Sequence, residues 1–95
     1  MLAELLFHQR LDYEDGGIVE MILWRVPKPV PPTVHGLKYS LFYGRAGVRE
    51  VGYDNERGKG DHRHFLGAET AYHFESIERV VADFWSDVRI LRGDQ

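Results

Sequence analysis

The sequence predicts an α+β fold, a small antiparallel meander sheet with a C-terminal helix packed on one face. Three observations predict it. Short runs that alternate, or are rich in β-branched and aromatic residues, fill the first half of the chain. Glycine-containing turn signals separate them. A single apolar stripe of 3.6-residue period follows near the end.

Residues 2–13 place Ala3, Leu5, Phe7, Gln9 and Leu11 on one side and Glu4, Leu6, His8 and Arg10 on the other. That period of two, ended by Asp15-Gly16-Gly17, reads as a strand and a hairpin turn. Residues 18–26 (IVEMILWRV) are apolar on both faces and read as a second strand inside the sheet. All four prolines fall in PKPVPP, residues 27–32, where missing donors and fixed backbone angles stop the sheet. Residues 37–45 resume as a strand, Ala46-Gly47 turns, and residues 48–53 return; successive hairpins favour a meander over crossover units.

Residues 54–70 are poor in apolar residues and rich in glycine, and read as a loop with a short strand at 63–66. A further short strand is expected at 71–74. Ser76 is placed to cap a helix, with Glu78 in its first turn. Ile77, Val80, Val81, Phe84, Val88 and Leu91 keep the helical period until Gly93, so the helix is predicted over residues 77–92.

A chain of 95 residues predicts a single domain with a modest core, and so a surface groove rather than an enclosed cavity. The absence of cysteine excludes disulfides, thiolate zinc sites and cysteine nucleophiles. A formal net charge of −3 argues against a protein basic all over, though a local basic patch still binds phosphates. The N-terminus lacks a basic n-region and carries Glu4 in its apolar run, unlike a signal peptide. No apolar run approaches the roughly 20 residues needed to span a bilayer. A cytoplasmic protein without membrane contact is the expectation.

The chemistry is concentrated in residues 52–64, GYDNERGKGDHRH. This run gathers carboxylates, an amide, three cations and two imidazoles, with glycines that let backbone approach a ligand closely. If extended, His62 and His64 point to one face while Asp61 and Arg63 point to the other. Paired imidazoles beside Arg63, Arg57 and Lys59 match what cleaving RNA without a metal requires. One group takes the 2′-hydroxyl proton, another protonates the leaving 5′-oxygen, and cations hold the phosphate charge. His62 and His64 are the candidate base and acid, in either order. Arg63 and Lys59 would hold the phosphate, with Asp54 or Asp61 orienting an imidazole or a cation. Arg57, Asn55 and Tyr53 complete the candidate substrate-binding set, and no cofactor is required.

Other readings compete. The run also reads, less favourably, as a polar turn satisfying its own backbone, with one histidine on a carbonyl and the other in solvent. His-x-His also suits zinc or another divalent metal, with Asp54 or Asp61 as third ligand, giving a metal-dependent nuclease. The neighbouring Arg and Lys oppose a cation. A non-catalytic protein that blocks a nucleic-acid or protein partner is the reading from a different class.

Two motifs fail. A P-loop needs four residues before its Gly-Lys, but five separate Gly52 from Gly58-Lys59, and Gly60 replaces the Ser/Thr. Gly58-Lys59-Gly60 begins a dinucleotide fingerprint, but Arg63 stands at the third glycine. His8 and His73 fall in predicted strands as structural residues, and His35 ends the proline loop as an exposed one. PKPVPP contains a PxxP match, read here as a stiff connection rather than a ligand for an SH3-type groove. Trp85 lies off the main helical stripe and is either an exposed partner contact or the margin of a wide buried stripe.

IVEMILWRVPKPVPPTVHGLKYSLFYGRAG, then VGYDNERGKGDHRH, then the ADFWSDV segment of the helix, resembles the TumE family of bacterial and archaeal toxin–antitoxin proteins. The resemblance covers nearly the whole chain, and YDNERGKGDHRH is its most specific part. It implies a toxin component encoded beside a helix-turn-helix DNA-binding antitoxin; it transfers no catalytic residue. By analogy with other small toxins it raises RNA cleavage as the activity. A homodimer groove would bring His8 or His73 into play, and neutralisation by an antitoxin would bury an edge strand or groove.

Overall fold

The computed structural model describes residues 2–93. Its strands are β1 (Glu4–Asp12), β2 (Ile18–Arg25), β3 (Leu37–Arg45), β4 (Val48–Glu56), β5 (Gly60–Phe65) and β6 (Ala68–Ala71), followed by helix α1 (Ile77–Arg92). The six strands form one antiparallel sheet in sequence order, so each strand pairs with the next. The α+β meander with a C-terminal helix is therefore the observed architecture.

Tight turns close the hairpins where their residues tolerate positive φ. Ala46 and Gly47 adopt φ 53° and 77° between β3 and β4, and Leu66 and Gly67 adopt 50° and 88° between β5 and β6. Both are two-residue turns of the primed kind, whose twist suits antiparallel strands. The first of these was expected. The second corrects the reading of residues 54–70 as a loop: β4 runs on to Glu56, and β5 and β6 follow as a hairpin. The expected strand at 71–74 is also corrected, since β6 ends at Ala71 and His73 lies outside any strand.

Helix α1 forms as the caps predict. Ser76 accepts from the Arg79 amide, Gly93 closes the end in the left-handed conformation, and Glu78, Arg89 and Arg92 suit the helix dipole. Its stripe buries Val80, Phe84 and Val88 against Tyr39, Leu41, Tyr43, Val51 and Tyr53 of β3 and β4. The helix sits over the middle of the sheet. Between it and β1–β2 an open groove of about 840 Å³ is lined by Phe7, Met21, Ile77, Val81 and Trp85. Trp85 thus sits half-buried at the margin of the stripe, its ring edge-on to Phe84.

Polar groups also enter the core beneath the helix. Asp87 is 6% exposed and accepts from Tyr53 Oη at 2.6 Å and from Arg63 Nε and Nη2 at 2.8 and 3.0 Å. Burial and the Asp87 acceptor push the Tyr53 hydroxyl above the usual phenol range, so it stays a donor. This cluster ties β4, β5 and α1 together. Asp87→Ala strips two partly buried donors of their acceptor and is expected to lower unfolding free energy by about 3 kcal/mol. A shift in the urea midpoint at constant slope would measure it. A loss below about 0.5 kcal/mol, typical of surface changes, would contradict a fastening role.

Candidate functional site

The site is built by the register of β5. Asp54 pairs with His62 across β4–β5, Gly52 with His64, and His64 with Glu69 across β5–β6. Alternation along β5 then sends Asp61 and Arg63 toward the helix and His62 and His64 to the opposite face. On that face the two imidazole centroids lie 4.9 Å apart, their planes at 74°. A hollow of about 270 Å³ beside them is lined by Lys59, His62, Glu69, Thr70 and Ala71.

The two imidazoles are held in different hydrogen-bonding states. His62 is 5% exposed, and its Nδ1–H donates to the Gly60 carbonyl at 3.0 Å. Its Nε2 lies 2.6 Å from Asp54 Oδ1, a buried oxygen that has no hydrogen-bond partner. Two acceptors in such contact demand positive charge between or beside them, as a proton or a metal ion.

His64 faces a cation instead. Arg49 Nη2 lies 2.9 Å from His64 Nδ1. A guanidinium has no lone pair, so His64 Nδ1 is the acceptor and carries no proton. Burial and the adjacent Arg49 charge push His64 below the usual imidazole range. Gly52 makes this contact possible by space rather than by conformation: a Cβ there would lie 2.7 Å from Arg49 Cδ. Glu69 Oε2 stands 3.4 Å from His62 Nε2 and 3.6 Å from His64 Nε2. Lys59 Nζ binds that same oxygen at 2.9 Å, and this bond holds the Glu69 carboxyl below its usual range.

Of the residues singled out in the sequence, Asp54, Lys59, His62 and His64 converge on this face. Arg63 does not; it lies against Asp87 on the helix side, its guanidinium over the Phe65 ring at 4.7 Å. Tyr53 also bonds Asp87, and Asn55 is fully buried, bridging the Tyr39 amide and the Leu37 carbonyl. Arg57 is exposed at the β4–β5 turn.

Asp61 is committed to the scaffold, accepting from Tyr39 Oη at 2.6 Å and Thr33 Oγ1 at 3.2 Å and meeting His35 Nε2 at 2.9 Å. His35, expected exposed, is largely buried, and its ring stacks on Phe74 at 4.0 Å. His8 bonds Glu20 across β1–β2, on the same face but toward the opposite edge of the sheet, and His73 is exposed. Arg49 and Glu69 are the site residues that sequence reasoning missed. Only the pairing of β4, β5 and β6 brings them to the histidines. Asp54, His62 and His64 also form a metal-capable set, with donor atoms all within 4.8 Å of one another.

A family model described as Toxin TumE matches residues 3–92. The chain belongs to the TumE toxin family. TumE membership implies a toxin component of a toxin–antitoxin system, with an antitoxin as partner. No curated protein and no solved structure matches the chain. Among the described residues no helix is long and apolar enough to cross a membrane.

Two outcomes follow from the geometry. Asp61→Ala is expected to lower stability by about 1–3 kcal/mol, the range for leaving a buried partner unsatisfied, whereas Asp54→Asn stays within about 0.5 kcal/mol because Asp54 Oδ1 has no hydrogen bond to lose. Equal losses in denaturant titration would contradict this division. Gly52→Ala is expected to push Arg49 off His64, seen as a changed His64 Nδ1 nitrogen shift in an NMR spectrum of the imidazoles. An unchanged shift would show that the glycine does not make room for that contact.

Proposed function

We propose that this TumE toxin cleaves RNA at the face shared by His62 and His64, by metal-independent acid–base catalysis. The observation that carries the reading is the opposite hydrogen-bonding state of two neighbouring imidazoles. His64 Nδ1 holds a lone pair, covered by Arg49. His62 donates through Nδ1 and presents Nε2 to the unpartnered Asp54 oxygen, and Nε2 is the atom that gives the proton in this reading.

An arriving phosphodiester draws Arg49 to its non-bridging oxygens, and Lys59 supports it from the hollow. Arg49 is exposed and Lys59 sits on an exposed ion pair, so both move at little cost. Uncovered, His64 Nδ1 takes the 2′-hydroxyl proton. The 2′-oxygen bonds to phosphorus, the bond from phosphorus to the 5′-oxygen breaks, and His62 Nε2 gives its proton to that oxygen. The products are a 2′,3′-cyclic phosphate and a free 5′-hydroxyl. Arg57 at the β4–β5 turn is placed to meet the flanking backbone. In this reading the partner is a helix-turn-helix antitoxin that covers the face, and one chain supplies the whole site without a homodimer.

Purified protein is expected to cleave RNA in excess EDTA and to leave cyclic phosphate ends. His62→Ala and His64→Ala should each lower the rate by about 10²–10⁴, the usual contribution of a general acid or base, with the fold intact by circular dichroism. Full activity in both variants would reject the assignment. Binding without turnover, weakening steeply as salt rises, would favour a blocking protein instead.

A further inference from the structure

We infer that Asp54, His62 and His64 form a binding site for a divalent transition metal of the zinc class, and that metal bound there silences the imidazole pair. Their donor atoms lie within 4.8 Å of one another. Ligands about 2.0–2.2 Å from a tetrahedral ion stand about 3.3–3.6 Å apart. Glu69 Oε2, at 3.4 and 3.6 Å from the two Nε2 atoms, matches that spacing and adds an oxygen alongside, whereas Asp54 Oδ1, 2.6 Å from His62 Nε2, must draw back by about 1 Å to share the ion.

Two further observations point to a cation. The bond from His62 Nδ1–H to the Gly60 carbonyl fixes the tautomer and aims Nε2 at Asp54. An outer hydrogen bond of this kind orients most metal-bound histidines. Asp54 Oδ1 is buried without a hydrogen bond, and an ion would satisfy it together with the Nε2 it abuts. Imidazole nitrogens with a carboxylate suit zinc or copper and do not suit magnesium or calcium, which take oxygen ligands.

Arg49 opposes the metal in a specific way. Coordination through His64 Nε2 moves the ring proton to Nδ1, where the Arg49 donor now sits. The guanidinium must leave, and Asp54 Oδ2, 3.9 Å from Nη1, is the nearest anion to receive it. Metal therefore takes up the His64 lone pair, the His62 proton position and the approach of Arg49 together. Silencing rests on the RNA-cleaving reading above; binding does not.

Calorimetric titration of the full chain with Zn²⁺ tests the site. One Zn²⁺ is expected per chain, with no heat from Mg²⁺. Asp54→Asn and His64→Ala should each weaken binding by at least about tenfold, the lower end for losing even an outer-sphere group, while Arg49→Ala tightens it. Co²⁺ in place of zinc should give the visible absorption of a four-coordinate ion, lost in Asp54→Asn. No binding, or binding unchanged in Asp54→Asn and His64→Ala, would overturn the site.

RNA cleavage by the same preparation is expected to fall on adding Zn²⁺ and to return with EDTA. Cleavage that demands zinc would overturn the silencing. Zinc binding with the expected variant pattern, but no RNA cleaved in EDTA, would leave the site standing and reject the RNA reading. Cleavage in EDTA with no zinc bound would reject the site alone.

Discussion

Everything at the candidate site depends on the register of β5. A slip of one residue would turn His62 and His64 under the helix and expose Asp61 and Arg63. Two anchors on alternate residues prevent it. Asp61 is held from below the sheet by Tyr39, His35 and Thr33, and Arg63 by Asp87 of α1. The residue between them is His62. A strand fastened on both sides of one position, on the far face, presents that position's side chain with little freedom. The neighbouring His64 inherits the same alignment, because pairing to both β4 and β6 leaves β5 no free edge.

Those anchors also explain why so small a sheet holds charges beneath a helix. Asp87 lies on the apolar stripe of α1, where an unpaired carboxylate would be costly. Tyr53 and Arg63 supply three hydrogen bonds to it. The proline segment does similar work at the other end of β5. Pro31 accepts from the Gly58 amide, and Pro32 lies against Gly60, so the chain before β3 braces the β4–β5 turn. The stiff connection read in PKPVPP is thus a support for the site.

The first four strands and the helix were legible because their apolar residues keep a clean period and their turns and caps carry the expected residues. β5 and β6 were not. On β5 two of the three inward positions are Asp61 and Arg63, whose burial is paired rather than apolar, so Phe65 alone is too little for a hydrophobic pattern. On β6 all four residues are exposed. The turn at Leu66-Gly67 was the available signal, and its non-glycine first residue hid it. The division of the two faces of β5 needed only strand alternation, and the sequence supplied it. The roles of Asp54 and Asp61 needed register: one faces an imidazole across the sheet, the other holds the scaffold. Arg49 lies in a strand read for its apolar content, and only the bare face of Gly52 lets it reach His64.

One contact underlies both the proposed catalysis and the proposed inhibition. Asp54 Oδ1 against His62 Nε2 is a site for positive charge, and a proton and a metal ion are alternative occupants of it. Proton occupancy leaves His64 free to act as the partner base. Metal occupancy recruits His64 as a ligand and removes it from proton transfer. Arg49 decides between them, because its bond to His64 Nδ1 is compatible with the protonated site and incompatible with the metallated one. A cation placed to receive a phosphate is therefore also the group that holds a metal away. The arrangement needs no second conformation of the sheet, only the movement of one exposed side chain over Gly52.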